Sequence, residues 1–272
     1  KKTRNLKHKN VHKFLEPLSL ILGISYYKLY YPPKIKILFK LSKKEAQFWN
    51  TVYRKGLGEF LYRNKLDPKK LAKFPYAKSE VGPIRVQTGN SILLGIGGGK
   101  DSILALELLR DFKTSLFSIE TQHSDYISNQ IIKKSGKPSL KLRRILDPKI
   151  FEKHEGLYNG HIPISAVFAF LGIFSAYLYE HKYMAVGNEY SSNFGNIKYK
   201  YEIINHQWSK SAEFESLFQE YIREFITPDI IYFSLLRQFY EIRIAQMFSK
   251  YKKYFSLFTS CNGNFRIFKE KS

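Results

Sequence analysis

From about residue 89 onward, short apolar runs alternate with longer stretches in which apolar residues recur every three or four positions. Short runs bounded by glycine or polar turns read as buried strands, and the 3.6-residue spacing reads as helices laid against them. The alternation predicts an α/β fold with a parallel sheet. Strands are expected over residues 92–96, 115–119, 140–145, 184–187 and 255–258, and helices over 102–110, 126–134, 164–179, 212–225 and 236–248. Upstream, Pro32-Pro33, Gly56, Gly58, Pro68, Pro75 and Pro83 punctuate the chain around one helical stretch, 46–62. The pattern changes after Gly82-Pro83, which divides the chain into a basic, mainly helical and smaller region, 1–88, and a parallel-sheet domain, 89–272.

Two apolar stretches are long enough to raise the question of a membrane span. Residues 14–31 are interrupted by Glu16, Pro17 and Lys28. Residues 162–179 are 18 without a charge, close to the lower limit for crossing a bilayer. Ala166, Ala169, Gly172 and Ala176 instead suit a helix packed closely on a sheet, so no membrane span is expected. Lys1 to Lys13 lacks the apolar core and cleavage site of a secretory signal. The single cysteine, Cys261, cannot form an internal bridge, and a cytoplasmic location is expected.

Composition adds one asymmetry. The 272 residues carry a formal charge of +22, and residues 1–88 hold 21 basic and 5 acidic side chains of the 45 and 23 in the whole. A basic surface of this kind attracts polyanions without choosing among nucleic acid, anionic lipid and nucleotide phosphates. Lysines that merely solvate a surface would give the same count.

The most specific chemistry lies in Leu94-Gly95-Ile96-Gly97-Gly98-Gly99-Lys100-Asp101-Ser102, which reads strand, tight turn, helix. Glycines let the backbone take positive φ and approach a bound group closely. Amides delivered to a helix start, with the helix dipole, form an anion site, to which Lys100 adds a cation and Ser102 a hydroxyl. The Walker A pattern fails, because Leu94 stands where its first glycine belongs and Asp101 where Ser or Thr belongs. The dinucleotide fingerprint fails at Lys100. The run resembles the Ser-Gly-Gly-x-Asp-Ser loop of the PP-loop ATP pyrophosphatases, with Gly97 in place of the first serine. That resemblance implies a PP-loop fold, with ATP gripped through its β and γ phosphates by Gly97, Gly98, Gly99, Lys100, Asp101 and Ser102, and AMP transfer to a substrate oxygen or nitrogen. Asp101 would orient the loop or hold Mg²⁺.

Further strings follow in order: Gly160-His161-Ile162-Pro163, Val186-Gly187-Asn188-Glu189-Tyr190, Asn205-His206-Gln207-Trp208-Ser209-Lys210-Ser211, Tyr232-Phe233-Ser234-Leu235-Leu236-Arg237 and Thr259-Ser260-Cys261-Asn262. With the glycine loop, they resemble the UDP-N-acetyl-α-D-muramoyl-L-alanyl-L-glutamate epimerase (MurL-type) family of bacterial peptidoglycan synthesis. The family has a further N-terminal part and a cysteine-rich C-terminal segment that this chain lacks, so the chain is expected to be a fragment. The resemblance implies ATP- and Mg²⁺-dependent inversion of the terminal L-Glu of a UDP-MurNAc-peptide, with no nucleic-acid partner.

Proton transfer on two faces of Cα needs two groups, and His206, Lys210, His161 and Cys261 are the candidates. A histidine beside a helix start is also commonly a structural residue, and Trp208 suits packing better than stacking on a ligand. Asn188 and Glu189 end an expected strand, where open parallel sheets place ligand groups, and are expected at the nucleotide, with Glu189 joining Asp101 at the metal. Two rivals stay open on the residues alone: a PP-loop enzyme that adenylates tRNA for thiolation or lysidine formation, and a non-catalytic nucleotide-binding protein.

Overall fold

The computed structural model describes residues 10–78, 82–120, 126–151, 156–195, 197–200 and 202–259. Three helices come first: α1 (His12–Tyr30), α2 (Lys43–Gly56) and α3 (Gly58–Arg63). Ser42 and Glu45 start α2 with a reciprocal capping box. Leu57, at φ −94° and ψ 9°, separates α2 from α3, so the single stretch expected over 46–62 is two helices.

The sheet follows, in the order β1 (Gly89–Gly95), α4 (Lys100–Leu108), β2 (Thr114–Glu120), α5 (Tyr126–Ser135), β3 (Ser139–Arg143), α6 (Ile164–Leu178) and β4 (His181–Val186). After a short antiparallel hairpin, β5 (Ile197–Tyr199) and β6 (Glu202–Ile204), the chain forms α7 (Ala212–Tyr221), β7 (Ile231–Ser234) and α8 (Glu241–Phe248). Five strands pair in parallel in the order β3-β2-β1-β4-β7.

The period-two alternation of β1 and its neighbours feeds two apolar layers. Leu93, Phe117 and Met184 face one side, where they join residues of α1, α2, α6 and α7 in one core. Leu94, Leu116 and Ala185 face the other and join α4, α5 and residues near α8. Leu93 and Leu94 are both fully buried. The α1–α3 segment, on the N-terminal side of residue 88, therefore packs into the same core as the sheet. Trp49 of α2 stacks on Phe170 of α6 and donates to the Tyr221 hydroxyl of α7.

Helix α6 covers the uncharged stretch and buries nine of its residues, among them Ala166, Ala169 and Gly172. No helix among the described residues is long and apolar enough to cross a membrane.

Two expected elements differ. Residues 255–258 are not a strand: they follow a 3-10 turn (Lys252–Tyr254) and pack Phe255 and Phe258 on Phe248. Four residues, three of them apolar, carry too short a pattern to separate strand from turn. The helix expected from 236 starts only at Glu241, because residues 235–239 turn back, with Phe239 N–H donating to the Leu236 carbonyl.

Candidate active site

The strand order reverses beside β1: the chain runs outward to β2 and β3 on one side, then returns to β4 and β7 on the other. At such a switch point the loops leaving adjacent strands diverge and open a crevice. The two loops that flank it here are the glycine turn after β1 and the Gly187-Asn188-Glu189 segment after β4.

The turn is held in shape by its glycines. Gly98 has φ +83°, and a Cβ there would lie 3.1 Å from Ile127 Cγ2. At Gly97 a Cβ would meet nothing within 4 Å. Gly99 is the N-cap of α4 in an extended conformation, with no side-chain cap. The amides of the first turn are thus left for an anion. The Thr259 amide donates to the Gly98 carbonyl at 3.1 Å, pinning the turn from behind. Across the crevice, a Cβ on Gly187 would come within 2.8 Å of the Asp101 carbonyl, so only glycine lets β4 pass this close to α4.

Asp101 is half-buried, and its Oδ1 is a buried atom with no hydrogen-bond partner although Lys100 Nζ stands 3.2 Å away. Burial raises the Asp101 pKa and Glu189 adds to the rise, while Lys100 and Lys210 oppose it. Burial pulls Lys100 down, but ion pairs with Asp101 and Glu241 (3.0 Å) outweigh it and leave its pKa raised. The Ser102 hydroxyl donates to the Gly99 carbonyl at 2.9 Å, closing the turn on itself.

The remaining candidates are linked to Asp101 through Lys210. His161 senses Glu59, His206, Lys28 and Lys210 electrostatically, and Lys210 in turn acts on Asp101. Burial is the main reason that the His161 pKa lies below 6.5, with Glu59 opposing it. Glu59 Oε2 is 3.7 Å from His161 Nδ1. The fold thus brings Gly97–Ser102, Glu189, Lys210, His206 and His161 into one polar neighbourhood. Asn188 is turned to the sheet instead, donating to Ser234 Oγ at 3.2 Å. Trp208 is buried against Phe214, a packing role. Cys261 lies outside the described residues.

Sequence reasoning missed the group that holds this neighbourhood together. Arg237 pairs with Glu215 (2.7 Å) and donates to the carbonyls of Glu189 (2.9 Å) and Lys210 (2.6 Å). Arg237 was visible only as one polar residue closing an apolar string, and Glu215 as an ordinary helix surface charge. Glu59 and Lys28 come from α3 and α1, too far along the chain for spacing to connect them to His161.

Whether Mg²⁺ suits the site is a question of donors. Among the described residues no three His, Cys, Asp or Glu cluster as a metal cage. Mg²⁺ in phosphate chemistry commonly takes one or two carboxylates and completes its shell with phosphate oxygens and water. Asp101, with an orphaned buried oxygen, and Glu189 beside it fit that pattern.

Taken together, the sheet order and the polar crevice at its reversal make this an open α/β protein of the switch-point, ligand-binding class. The chain belongs to the MurL N-terminal domain family, whose profile matches residues 1–235. It is 35% identical to UDP-N-acetyl-alpha-D-muramoyl-L-alanyl-L-glutamate epimerase of Xanthomonas oryzae pv. oryzae, over 96% of this chain and 58% of that protein. The Salinispora tropica protein of the same name is 36% identical over 94% of this chain and 56% of its own length. The chain thus spans somewhat more than half the length of these relatives. A U34-tRNA thiolase from Methanococcus maripaludis superposes with a TM-score of 0.40 at 10% identity, covering 65% of this chain and 61% of its own. So loose a likeness carries no argument.

Proposed function

We propose that this chain carries the ATP-binding and epimerising site of an enzyme that inverts the terminal L-Glu of UDP-MurNAc-L-Ala-L-Glu. The observation that carries the reading is the juxtaposition, at one switch point, of an uncapped glycine turn with proton-transfer groups that are coupled electrostatically to it, Lys210 acting on both Asp101 and His161. Membership of the MurL family and about 35% identity to named epimerases support it.

The chemistry explains why both halves are needed. Removing the Cα proton from a glutamate builds negative charge beside an existing carboxylate. Transfer of AMP from ATP to that carboxylate, with release of pyrophosphate, removes the charge and leaves a carbonyl that can accept electron density. The turn amides and Lys100 hold the departing diphosphate. Asp101 and Glu189 would hold Mg²⁺, which when bound supplies charge neutralisation along the phosphates. His161, whose pKa desolvation holds below 6.5, takes the Cα proton, with Glu59 Oε2 3.7 Å from its Nδ1. Lys210, which acts electrostatically on both Asp101 and His161, returns a proton. Hydrolysis then yields AMP and the D-Glu product.

The test is incubation with ATP, Mg²⁺ and the L-Glu nucleotide peptide in D₂O, following AMP and deuterium at Cα. The reading expects both. In His161→Gln, AMP should form while deuterium uptake is lost; normal uptake would remove His161 from the mechanism. No AMP above background from the wild-type chain would defeat the reading.

A further inference from the structure

A second cationic feature stands beyond His161 and plays no part in the adenylation just described. Lys28, in the last turn of α1, is 8% exposed, and Arg144, the residue after β3, is 9% exposed. Arg144 leaves the same edge of the sheet as the glycine turn. The Lys28 pKa is driven down to about 8, first by burial and then by Arg144. Neither pairs with a carboxylate among the described residues. Among the described residues, Lys28 Nζ reaches only the Asn159 side chain (3.2 Å) and the Gly160 carbonyl (2.5 Å). Among the described residues, the Arg144 guanidinium donates only to Ser25 Oγ, at 2.6 Å, and its buried Nε has no partner.

Two like charges buried together without a counter-ion are costly, and a fold that needed only hydrogen bonds to Ser25 and Gly160 could use neutral donors. An arginine kept for structure would also have most of its five donors engaged, whereas this one uses a single bond. Gly160, which Lys28 binds, directly precedes His161, and Lys28 acts on His161 electrostatically. The pair therefore borders the candidate active site at His161.

We propose that Lys28 and Arg144 form a second oxyanion site, separate from the glycine turn, that receives an acidic group of the nucleotide peptide. The proposal rests on the substrate reading above for the identity of that ligand. Two groups of the peptide have the right chemistry: the side-chain carboxylate of the terminal Glu and the diphosphate of UDP. Either would meet two converging cations and replace the missing counter-charge with charge-assisted hydrogen bonds.

Calorimetric titration of the chain with UDP-MurNAc-L-Ala-L-Glu at constant salt tests it in wild type, Arg144→Gln and Lys28→Gln. Each variant should bind about tenfold or more weakly, the usual size of a lost charged hydrogen bond, while ATP binds as in wild type. Two analogues name the group: one ending in L-Gln, without the side-chain carboxylate, and MurNAc-L-Ala-L-Glu, without UDP. The analogue on which wild type and Arg144→Gln no longer differ lacks the oxyanion that the pair holds. A difference that survives on both, or folded variants that bind the full ligand as wild type does, would overturn the proposal.

Inorganic pyrophosphate offers an assay that needs no variant and no peptide. Wild type should bind it at two sites, one displaced by ATP and one not. A single site emptied by ATP would overturn the proposal. Two pyrophosphate sites with no affinity for the nucleotide peptide would instead sink the substrate reading and leave the second oxyanion site standing.

Discussion

Gly98 and Gly97 differ by one position and by the whole of their structural role. At φ +83° a side chain on Gly98 is strained by about 1–2 kcal/mol before its Cβ presses on Ile127. Gly98→Val should therefore lose stability as well as AMP formation, measurable as a lower urea midpoint; the glycine pattern alone suggests that the fold would be untouched. Gly97→Ser, placed in open space, should leave the midpoint within error and retain AMP release. The contrast was legible in the sequence only in part. Three glycines announce a tight turn, but which of them has positive φ depends on Ile127 and Ser128 of α5, behind the turn. Arg237 belongs to the same scale. Its partner Glu215 is mostly buried, so Arg237→Ala should leave an unpaired carboxylate and cost about 3–5 kcal/mol, read by chemical denaturation. Arg237→Lys should recover little, since one ammonium cannot span Glu215 and two backbone carbonyls.

At the scale of elements, the strands that the apolar pattern marked around residues 92–96, 115–119, 140–145 and 184–187 are all in the sheet: β1, β2 and β4 carry largely buried apolar runs, whereas the edge strand β3 alternates polar and apolar residues, Ser139-Leu140-Lys141-Leu142-Arg143, and buries none of them. β7 is not among the expected strands, although Ile231 to Ser234 is rich in aromatic and β-branched positions and Thr227-Pro228-Asp229 breaks the chain after the π-turn Ile222–Ile226, because a run of four residues is too short to show a strand period. The hairpin β5–β6 was missed for a related reason: its turn uses Lys200 at φ +44° rather than Asn-Gly. Helix α1 carries a testable consequence of its own. Lys28 has a pKa of about 8 in the folded chain against 10.5 unfolded. Below pH 8 it is charged in both states and the fold bears the full cost of burying it. Between about 8 and 10.5 the unfolded chain holds more protons, so stability rises with pH. Urea unfolding at pH 7.5 and 9.5 should show a gain of about 1–2 kcal/mol from this group. In Lys28→Met that gain should vanish, and the variant should be the more stable protein at pH 7.5. An unchanged pH dependence would show that Lys28 is not held in this environment.

Across the whole molecule, the same aromatic packing that hides Trp49 links the N-terminal helices to the sheet and hence to the site. Phe48 stacks on Tyr221, Trp49 on Phe170, and Phe170 meets Phe218 edge-on, so α2, α6 and α7 share one apolar seam. The composition shift near residue 88 shows where the basic region ends, and the proline-rich punctuation before it suggests a separate unit. Neither reveals that α2 supplies a fully buried tryptophan to the layer beneath the strands. The candidate site depends on that layer as well: α1 and α3 deliver Lys28 and Glu59 to His161, while Lys210 and Trp208 lie on the 3-10 turn that leads into α7. A seam this continuous cannot open on one side without exposing the other, so the described helices and sheet should unfold together. The two tryptophans, one in each half, report this directly. Trp208→Phe leaves only Trp49, in the N-terminal helices, as a fluorophore, and Trp49→Phe leaves only Trp208, beside the site. In each single-tryptophan protein the fluorescence transition in urea should coincide with loss of helical circular dichroism for the whole chain. Trp49→Ala, which empties the seam, should lower stability by about 3–5 kcal/mol and shift both signals together. If Trp49 fluorescence changed well before the circular dichroism of the rest, the N-terminal helices would be a separate unit resting on the sheet, and their delivery of Lys28 and Glu59 to the site would be conditional on docking.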